Sequence, residues 1–274
     1  MAELFVPLIL TPGFGGIYLR EVRGVDEMVV DDTGTRAALT LIDGLLSEDR
    51  SFSPEGGAVM PEGRSAAQPA RIDVAKIVTA DRDRILAHIY MGVYGPKIAS
   101  TLTCGHCTEQ FDLDFSLDDL LSHFPLDPAS NDEGVYEDGE ARKFRLPTGE
   151  DELEAARFAP EEAETMLLDK CLLTGGATGE PDEHVSLQAK MWAVAPILNM
   201  EMEAVCPECG QVQQVLFDMQ SYLLTRLKQE RTRLIQEIHC IASQYHWSQR
   251  EILDLPRKIR QQYVKLIGGE NVPR

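Results

Sequence analysis

Apolar positions along the chain follow two spacings, and the changeovers fall at short clusters of glycine, proline and acidic residues. Residues 4–10 form a β-like apolar stretch that Thr11-Pro-Gly-Phe-Gly-Gly16 closes as a turn. Residues 17–22 alternate like a strand until Arg23-Gly-Val-Asp-Glu27 breaks the alternation as an acidic turn, and residues 37–46 take helical spacing. Residues 47–70, rich in Ser, Pro, Gly and Ala, read as a mobile loop. Thr79-Ala-Asp-Arg-Asp83 signals a helix start, with Ile85, Leu86, Ile89 and Val93 on one face and Gly92 and Gly95 ending the helix. His88 on that helix reads as a surface or internally satisfied histidine.

The pattern then occurs a second time. Cys104-Gly-His-Cys107 returns as Cys206-Pro-Glu-Cys209, 102 positions later, and the same offset pairs Leu113 with Val215, Phe115 with Phe217, Leu117 with Met219 and Leu121 with Leu223. Each copy reads as strand, Cys-x-x-Cys turn, strand, then a helix start near Ser116 or Asp218. Upstream of the second copy, Gly149, Asp151 and Glu152 match Gly24, Asp26 and Glu27 at an offset of 125, and a helix with Met166, Leu167, Cys171 and Leu172 follows. A glycine-rich loop at 174–181 leads to the apolar segment around Trp192. The predicted fold is α+β: tandem-duplicated strand–helix–zinc-hairpin units forming a pseudo-symmetric body, with a helical C-terminal tail. The expected segments are 1–125 and 142–222, each a repeat with its Cys-x-x-Cys hairpin, and 223–274, the helical segment. Between the repeats, residues 126–141 hold six acids and no Lys or Arg, and read as a solvated linker.

In the C-terminal segment, residues 223–244 place Leu223, Leu224, Leu227, Leu234, Ile238 and Ile241 at helical spacing. Ser248 with Glu251 makes a capping box, Pro256 interrupts, and residues 259–267 complete the pattern. His246 and Trp247 read as an aromatic staple between helices.

The candidate chemistry lies in Cys104, Cys107, Cys206 and Cys209. Two tight turns facing each other supply the four soft sulfur donors that a structural tetrahedral Zn²⁺ requires. A redox pair would need a helix N-terminus directly after the motif to activate one thiol; here β-patterned residues follow both turns. A third reading is a pair of turns that has lost its metal and kept its shape. Cys171 and Cys240 read as buried small hydrophobes, although His239 next to Cys240 leaves a second metal site conceivable. The carboxylate pairs Asp26/Glu27 and Asp151/Glu152 could pass for catalytic pairs, but acids at helix N-termini serve the helix dipole. No nucleophile elbow, Walker lysine loop, His-Glu-x-x-His helix, dinucleotide fingerprint or zinc-deaminase signature is present. Four cysteines leave zinc no open position for water, so the sequence argues against an enzyme.

Composition narrows the partners. The formal net charge of −19 argues against nucleic acid, which calls for a basic face. Residues 223–274 hold ten Lys/Arg and five Asp/Glu, a local +5 that leaves −24 on residues 1–222. The first residues have no basic region ahead of their apolar run, as a signal peptide would. The longest uncharged apolar stretch, 191–200, is too short to span a bilayer. A soluble, cytoplasmic protein is expected, with a reducing environment for its cysteines.

Val78-Thr-Ala-Asp-Arg-Asp-Arg-Ile-Leu86, Tyr94-Gly-Pro96 and Cys104-x-x-Cys107 resemble the pattern of T-even-type phage baseplate proteins, the baseplate hub assembly chaperone family, which also occurs in phage-derived contractile injection systems. Glu237-Ile-His239, Tyr245-His-Trp-Ser248 and the run from Glu251 through Pro256 to Tyr263 are similar to the closing segment of bacterial members. The likeness covers most of residues 17–267, outside the loops. It implies a non-enzymatic role in building the baseplate or hub of a contractile tail, in the cytoplasm or as part of a phage-like particle assembled there, with baseplate or hub proteins as partners, and it transfers no catalytic residue. Self-association is a further possibility. The alternative is a zinc-ribbon adaptor in transcription or RNA handling. That reading calls for basic, aromatic ribbons, whereas residues 108–120 and 210–222 carry no Lys or Arg. A metal-dependent enzyme built on one of the two carboxylate pairs is the third.

Overall fold

The computed structural model describes residues 3–47, 72–127, 133–137, 142–174 and 181–269. Most of the expected mobile loop (48–70), parts of the acidic stretch (128–132 and 138–141) and most of the glycine-rich loop (175–180) lie outside the described residues.

The first strands, β1 (Leu4–Pro7) and β2 (Gly16–Leu19), pair antiparallel with Val6 opposite Ile17, both buried. The acidic turn that the sequence suggested is a short helix, α1 (Gly24–Val29). Helix α2 (Thr35–Leu45) buries Ala38, Leu41, Ile42 and Leu45, the i, i+3, i+4, i+7 face expected of a helix laid on a core. A short 3₁₀ turn (Val74–Lys76) leads to α3 (Thr79–Tyr94). The hairpin β3 (Lys97–Thr103) and β4 (Gln110–Ser116) then runs into α4 (Leu117–His123), capped by the Ser116 hydroxyl.

Within the acidic stretch, residues 135–137 do not behave as a solvated linker. They form β5 (Val135–Glu137), which pairs with β6 (Lys143–Arg145), and β6 pairs in turn with β7 (Leu172–Thr174). Burial of the Tyr136 ring against Phe144, at a centroid distance of 5.5 Å, draws this piece of acidic chain into the body. Helices α5 (Gly149–Ala155), α6 (Pro160–Cys171) and α7 (Pro181–Val194) follow, then the hairpin β8 (Asn199–Val205) with β9 (Val212–Asp218). The single helix expected over 223–244 is two, α8 (Met219–Gln229) and α9 (Arg231–Tyr245), parted at Glu230. The Glu230 carboxylate accepts from the Tyr94 hydroxyl at 2.9 Å and pairs with Arg257, so the break sits where the chain anchors to its neighbours. Helices α10 (Gln249–Leu253), with the expected Ser248/Glu251 capping box, and α11 (Arg257–Ile267) close the chain. Trp247 sits edge-on to Tyr263 at 5.1 Å and tilted against Tyr245 at 5.4 Å, the staple expected there.

Corresponding elements start at constant offsets. Helices α1 and α2 begin at 24 and 35, α5 and α6 at 149 and 160, 125 later in both cases. The series β3, β4, α4 begins at 97, 110 and 117, and the series β8, β9, α8 at 199, 212 and 219, 102 later throughout. The largest core cluster takes residues from both series, among them Val6, Ile42, Ile85, Ile98, Leu198, Phe217 and Leu227.

The first turns of α3 are where distant segments meet. Residues 79–84, Thr-Ala-Asp-Arg-Asp-Arg, are all buried, and each charge there has a protein partner. Asp81 accepts from the backbone N–H groups of Ile9, Leu10 and Thr11 and from the Thr11 hydroxyl, at 2.7–3.0 Å, which fixes the glycine-rich turn. Arg82 pairs with Glu152 of α5, and Asp83 accepts from the N–H of Leu198 at 2.8 Å, just before β8. Arg84 donates to the carbonyls of Pro196 (2.6 Å) and Phe124 (2.7 Å). Four buried charges would be severely destabilising if unpaired. Paired, they make this helix start the junction of the N-terminal turn, α5, the end of α4 and the second hairpin.

Candidate metal centre

Each cysteine pair sits in the loop of its hairpin, and the two loops are built alike. The Cys104 N–H donates to Glu109 O and the Cys206 N–H to Gln211 O, both at 2.9 Å. The N–H of Thr108 returns to Cys104 O at 3.0 Å, and that of Gly210 to Cys206 O at 2.9 Å. Closing such a turn requires left-handed backbone at the residue after the second cysteine. Gly210 adopts it at φ 71° without steric cost, and Thr108 adopts it at φ 63° despite its branched Cβ.

The hairpins face each other through Leu102, Phe111, Leu113, Ala204 and Val215, while Phe115 meets Phe217 edge-on at 5.0 Å. This packing brings Cys104 Sγ to 3.7 Å from Cys209 Sγ and Cys107 Sγ to 3.7 Å from Cys206 Sγ, with all four sulfurs within 4.8 Å of one another. A tetrahedral ion with metal–sulfur bonds of ~2.3 Å spaces its sulfurs ~3.7–3.8 Å apart. A disulfide requires ~2.05 Å, and all six cysteines are free thiols. Cys104 and Cys206 are buried, and Cys107 and Cys209 lie toward solvent. The four cysteines named from the sequence therefore form one cluster that fits a single metal ion. No other group of three or more potential ligands of this kind occurs among the described residues.

The electrostatics of the cluster are those of thiols competing for charge. The N–H groups of Cys107 and His106 point at Cys104 Sγ and draw that thiol down to about 6. At Cys107 the Glu109 N–H favours the thiolate, but lost hydration and the three neighbouring sulfurs outweigh it and push the group up to about 12. Four thiolates at this separation repel one another, and a dication reverses that balance by deprotonating its ligands outright. The donor set fits a closed, four-coordinate site with no position for substrate.

The remaining candidates lie elsewhere. Cys171 is buried at the end of α6, and burial pushes its thiol up to about 11. Cys240 is half-buried on α9 beside the exposed His239. His88 is half-buried, and its Nδ1 lies 2.7 Å from Arg84 O. The two carboxylate pairs divide their roles. Asp26 accepts the Arg23 N–H at 2.8 Å and Asp151 the Thr148 N–H at 2.9 Å, the capping expected of them. Arg20 and Arg145 each grip one of these aspartates with both terminal nitrogens, at 2.7 Å for the first and at 2.6 and 2.9 Å for the second. At Asp151 burial opposes ionisation, but Arg145 and Thr148 outweigh it and hold the carboxyl well below the usual carboxylate range.

The glutamates Glu27 and Glu152 do not cap; they receive arginines from other helices. Arg257 and Arg260 donate to Glu27 at 2.8 and 2.6 Å, and Arg260, 1% exposed, also reaches Glu237 at 2.9 Å. A Cβ at Gly24 would lie 2.8 Å from Arg260 Nη1, so only glycine admits this approach. Glu152 receives Arg82 together with the hydroxyls of Thr35 (2.7 Å) and Thr79 (3.1 Å). Both seatings use the same backbone contacts. Arg257 N–H donates to Val22 O at 3.2 Å and Thr79 N–H to Pro147 O at 2.9 Å, beside antiparallel bridges Arg23–Pro256 and Val78–Thr148. The 125 offset that relates the acids also relates Arg20 to Arg145, so those clamps were legible in the sequence. Arg257 and Arg260 come from a distant helix and left no local signal.

No family model, no curated protein and no solved structure matches this chain. No helix among the described residues is long and apolar enough to cross a membrane.

Proposed function

We propose that the protein is a non-enzymatic assembly factor or minor structural component of the baseplate or hub of a contractile phage tail or contractile injection system. In this reading the chain is a tandem duplication whose halves are pinned by one structural Zn²⁺ on Cys104, Cys107, Cys206 and Cys209, and its partners are hub or baseplate proteins.

The observation that carries the reading is the state of residues 78–86, the main stretch on which the resemblance rests. Their charges are spent on internal ties to the N-terminal turn, α5, the end of α4 and the second hairpin. A stretch used in that way defines a body rather than an active site. The constant offsets of 125 and 102 favour duplication, and a four-thiolate donor set favours zinc among the common divalent ions. The adaptor alternative loses support at the hairpins, whose outward positions include Asp112, Asp114, Glu201 and Glu203, while Lys97 is paired with Asp114 at 2.6 Å. Such faces repel a phosphate backbone.

Co-expression of the full chain with the hub and baseplate proteins of a contractile system, followed by size-exclusion chromatography, tests the reading. A stoichiometric complex with one of those proteins is expected. Folded, metal-loaded chain that elutes free of all of them would overturn it.

A further inference from the structure

The two hairpins pack through their inner faces, and their outer faces differ in a way the shared cysteine cluster does not require. Thr103, Gln110 and Asp114 of the first hairpin correspond at the 102 offset to Val205, Val212 and Leu216 of the second. These three aliphatic residues are 60%, 55% and 67% exposed. Val205 stands directly opposite Val212, and Leu216 stands opposite Glu201. Glu203 and Gln214 lie between those pairs. From Val212 to Leu216 the strip runs ~14 Å at the strand rise. Three aliphatic side chains, with Gln214 between Val212 and Leu216, thus lie beside the carboxylates of Glu201 and Glu203.

A complementary strip exists on α11. Its inner face is locked down, because Arg257 and Arg260 are buried against Glu27, Glu230 and Glu237. Its outer face presents Ile259 at 38% and Leu266 at 48% exposure, flanked by the exposed Lys258 and Lys265. The seven-residue spacing of Ile259 and Leu266 spans two turns, ~10.5 Å. Two aliphatic residues and two lysines on the helix thus complement in sign and polarity the aliphatic residues and two glutamates on the hairpin, over ~10.5 Å on one side and ~14 Å on the other.

We propose that α11 of one copy docks on the outer face of the β8–β9 hairpin of a second copy. Ile259 and Leu266 cover Val205, Val212 and Leu216, and Lys258 and Lys265 face Glu201 and Glu203. Different surfaces meet, so the contact is heterologous, and copies add head to tail into a ring or a filament. The proposal does not depend on which system the protein serves.

Sedimentation velocity of the full, metal-loaded chain over a range of concentration and salt tests this. Wild-type mass is expected to grow with concentration and to fall back in high salt, because the flanking ion pairs are solvent-exposed and screened. Leu216→Asp and Leu266→Asp should each weaken association at least tenfold. Glu203→Lys and Lys265→Glu should each weaken it, and the double variant Glu203→Lys/Lys265→Glu, which places the pair in reversed polarity at every junction, should recover association, which a folding fault cannot imitate. A wild-type chain that stays monomeric throughout, or a double variant that recovers no association, would overturn the proposal and leave the strip to a different protein.

Discussion

The two cysteine hairpins and the helices that lead into them make an instructive contrast. From β3 to α4 and from β8 to α8 the chain matches position by position, down to the N–H of Leu117 on Pro96 O at 2.8 Å and that of Met219 on Leu198 O at 2.9 Å. The helices that lead into them, α3 and α7, differ. Asp83 of α3 is buried and tied to Leu198, while its counterpart on α7, Val185, is 64% exposed. A shared four-sulfur cluster constrains only the residues that set its geometry. Outside those residues the two regions differ: the start of α3 is an internal junction, and the second hairpin has an aliphatic outer face.

The largest test of this contrast is on the buried cysteines. Cys104→Ser and Cys206→Ser should lower stability by similar amounts, because each removes one donor from the same site. Metal binding in small structural zinc modules is worth on the order of 10 kcal/mol, so both variants should lose the hairpin pair, seen as loss of bound metal and early thermal unfolding. A silent change at one cysteine with collapse at the other would mean that the sites are separate.

A smaller effect is expected at the paired glutamates. Glu27→Ala removes one carboxylate from two buried arginines, leaving each with one, and should cost about 3–5 kcal/mol in chemical denaturation. Glu152→Ala should cost less, because the Glu152 side chain is 23% exposed against 4% for Glu27. Equal costs would show that burial does not set the strength of the two seatings.

The contrast between Asp83 and Val185 predicts a pH effect. Burial is the largest influence on the Asp83 carboxyl and raises it to about 6, above the ordinary 3.8 that it regains on unfolding. The folded protein therefore holds the proton more tightly, and the stability this gives is present at low pH and lost as pH rises through about 6. Asp83→Asn cannot ionise and keeps an acceptor for the Leu198 N–H. Its melting temperature relative to wild type should climb between about pH 4 and 7, by the equivalent of about 1–3 kcal/mol. A difference that stays flat with pH would show that Asp83 is not the titrating group.

The smallest effect concerns the turn residues. Thr108→Gly relieves a branched residue from left-handed backbone and should stabilise by about 0.5–1 kcal/mol, whereas Gly210→Thr should destabilise. The same sign at both positions in thermal melts would contradict the equivalence of the turns.

Much of the hairpin architecture was legible because it is local: the cysteine spacing, the alternating residues around it and the helix starts at Ser116 and Asp218 all lie within short windows. The four candidate ligands were found in the same way, by their repeat. What escaped depends on distant neighbours. The acidic stretch around Tyr136 reads as solvated until Phe144 gives that ring a partner. The run of 223–244 reads as one helix because Tyr94 and Arg257, which hold Glu230 at the break, come from elsewhere in the chain. Glu27 and Glu152 read as caps beside Asp26 and Asp151, and nothing near them announces the arginines they receive.

The central claim is that both hairpins contribute to a single metal site. Metal per chain, measured by elemental analysis of purified protein and by native mass spectrometry of the same sample, tests it most directly. One zinc ion per chain is predicted, lost as a whole in Cys104→Ser and in Cys206→Ser alike. Two ions per chain, or one that survives either substitution, would mean that each hairpin binds for itself and that the halves are not joined through a common centre.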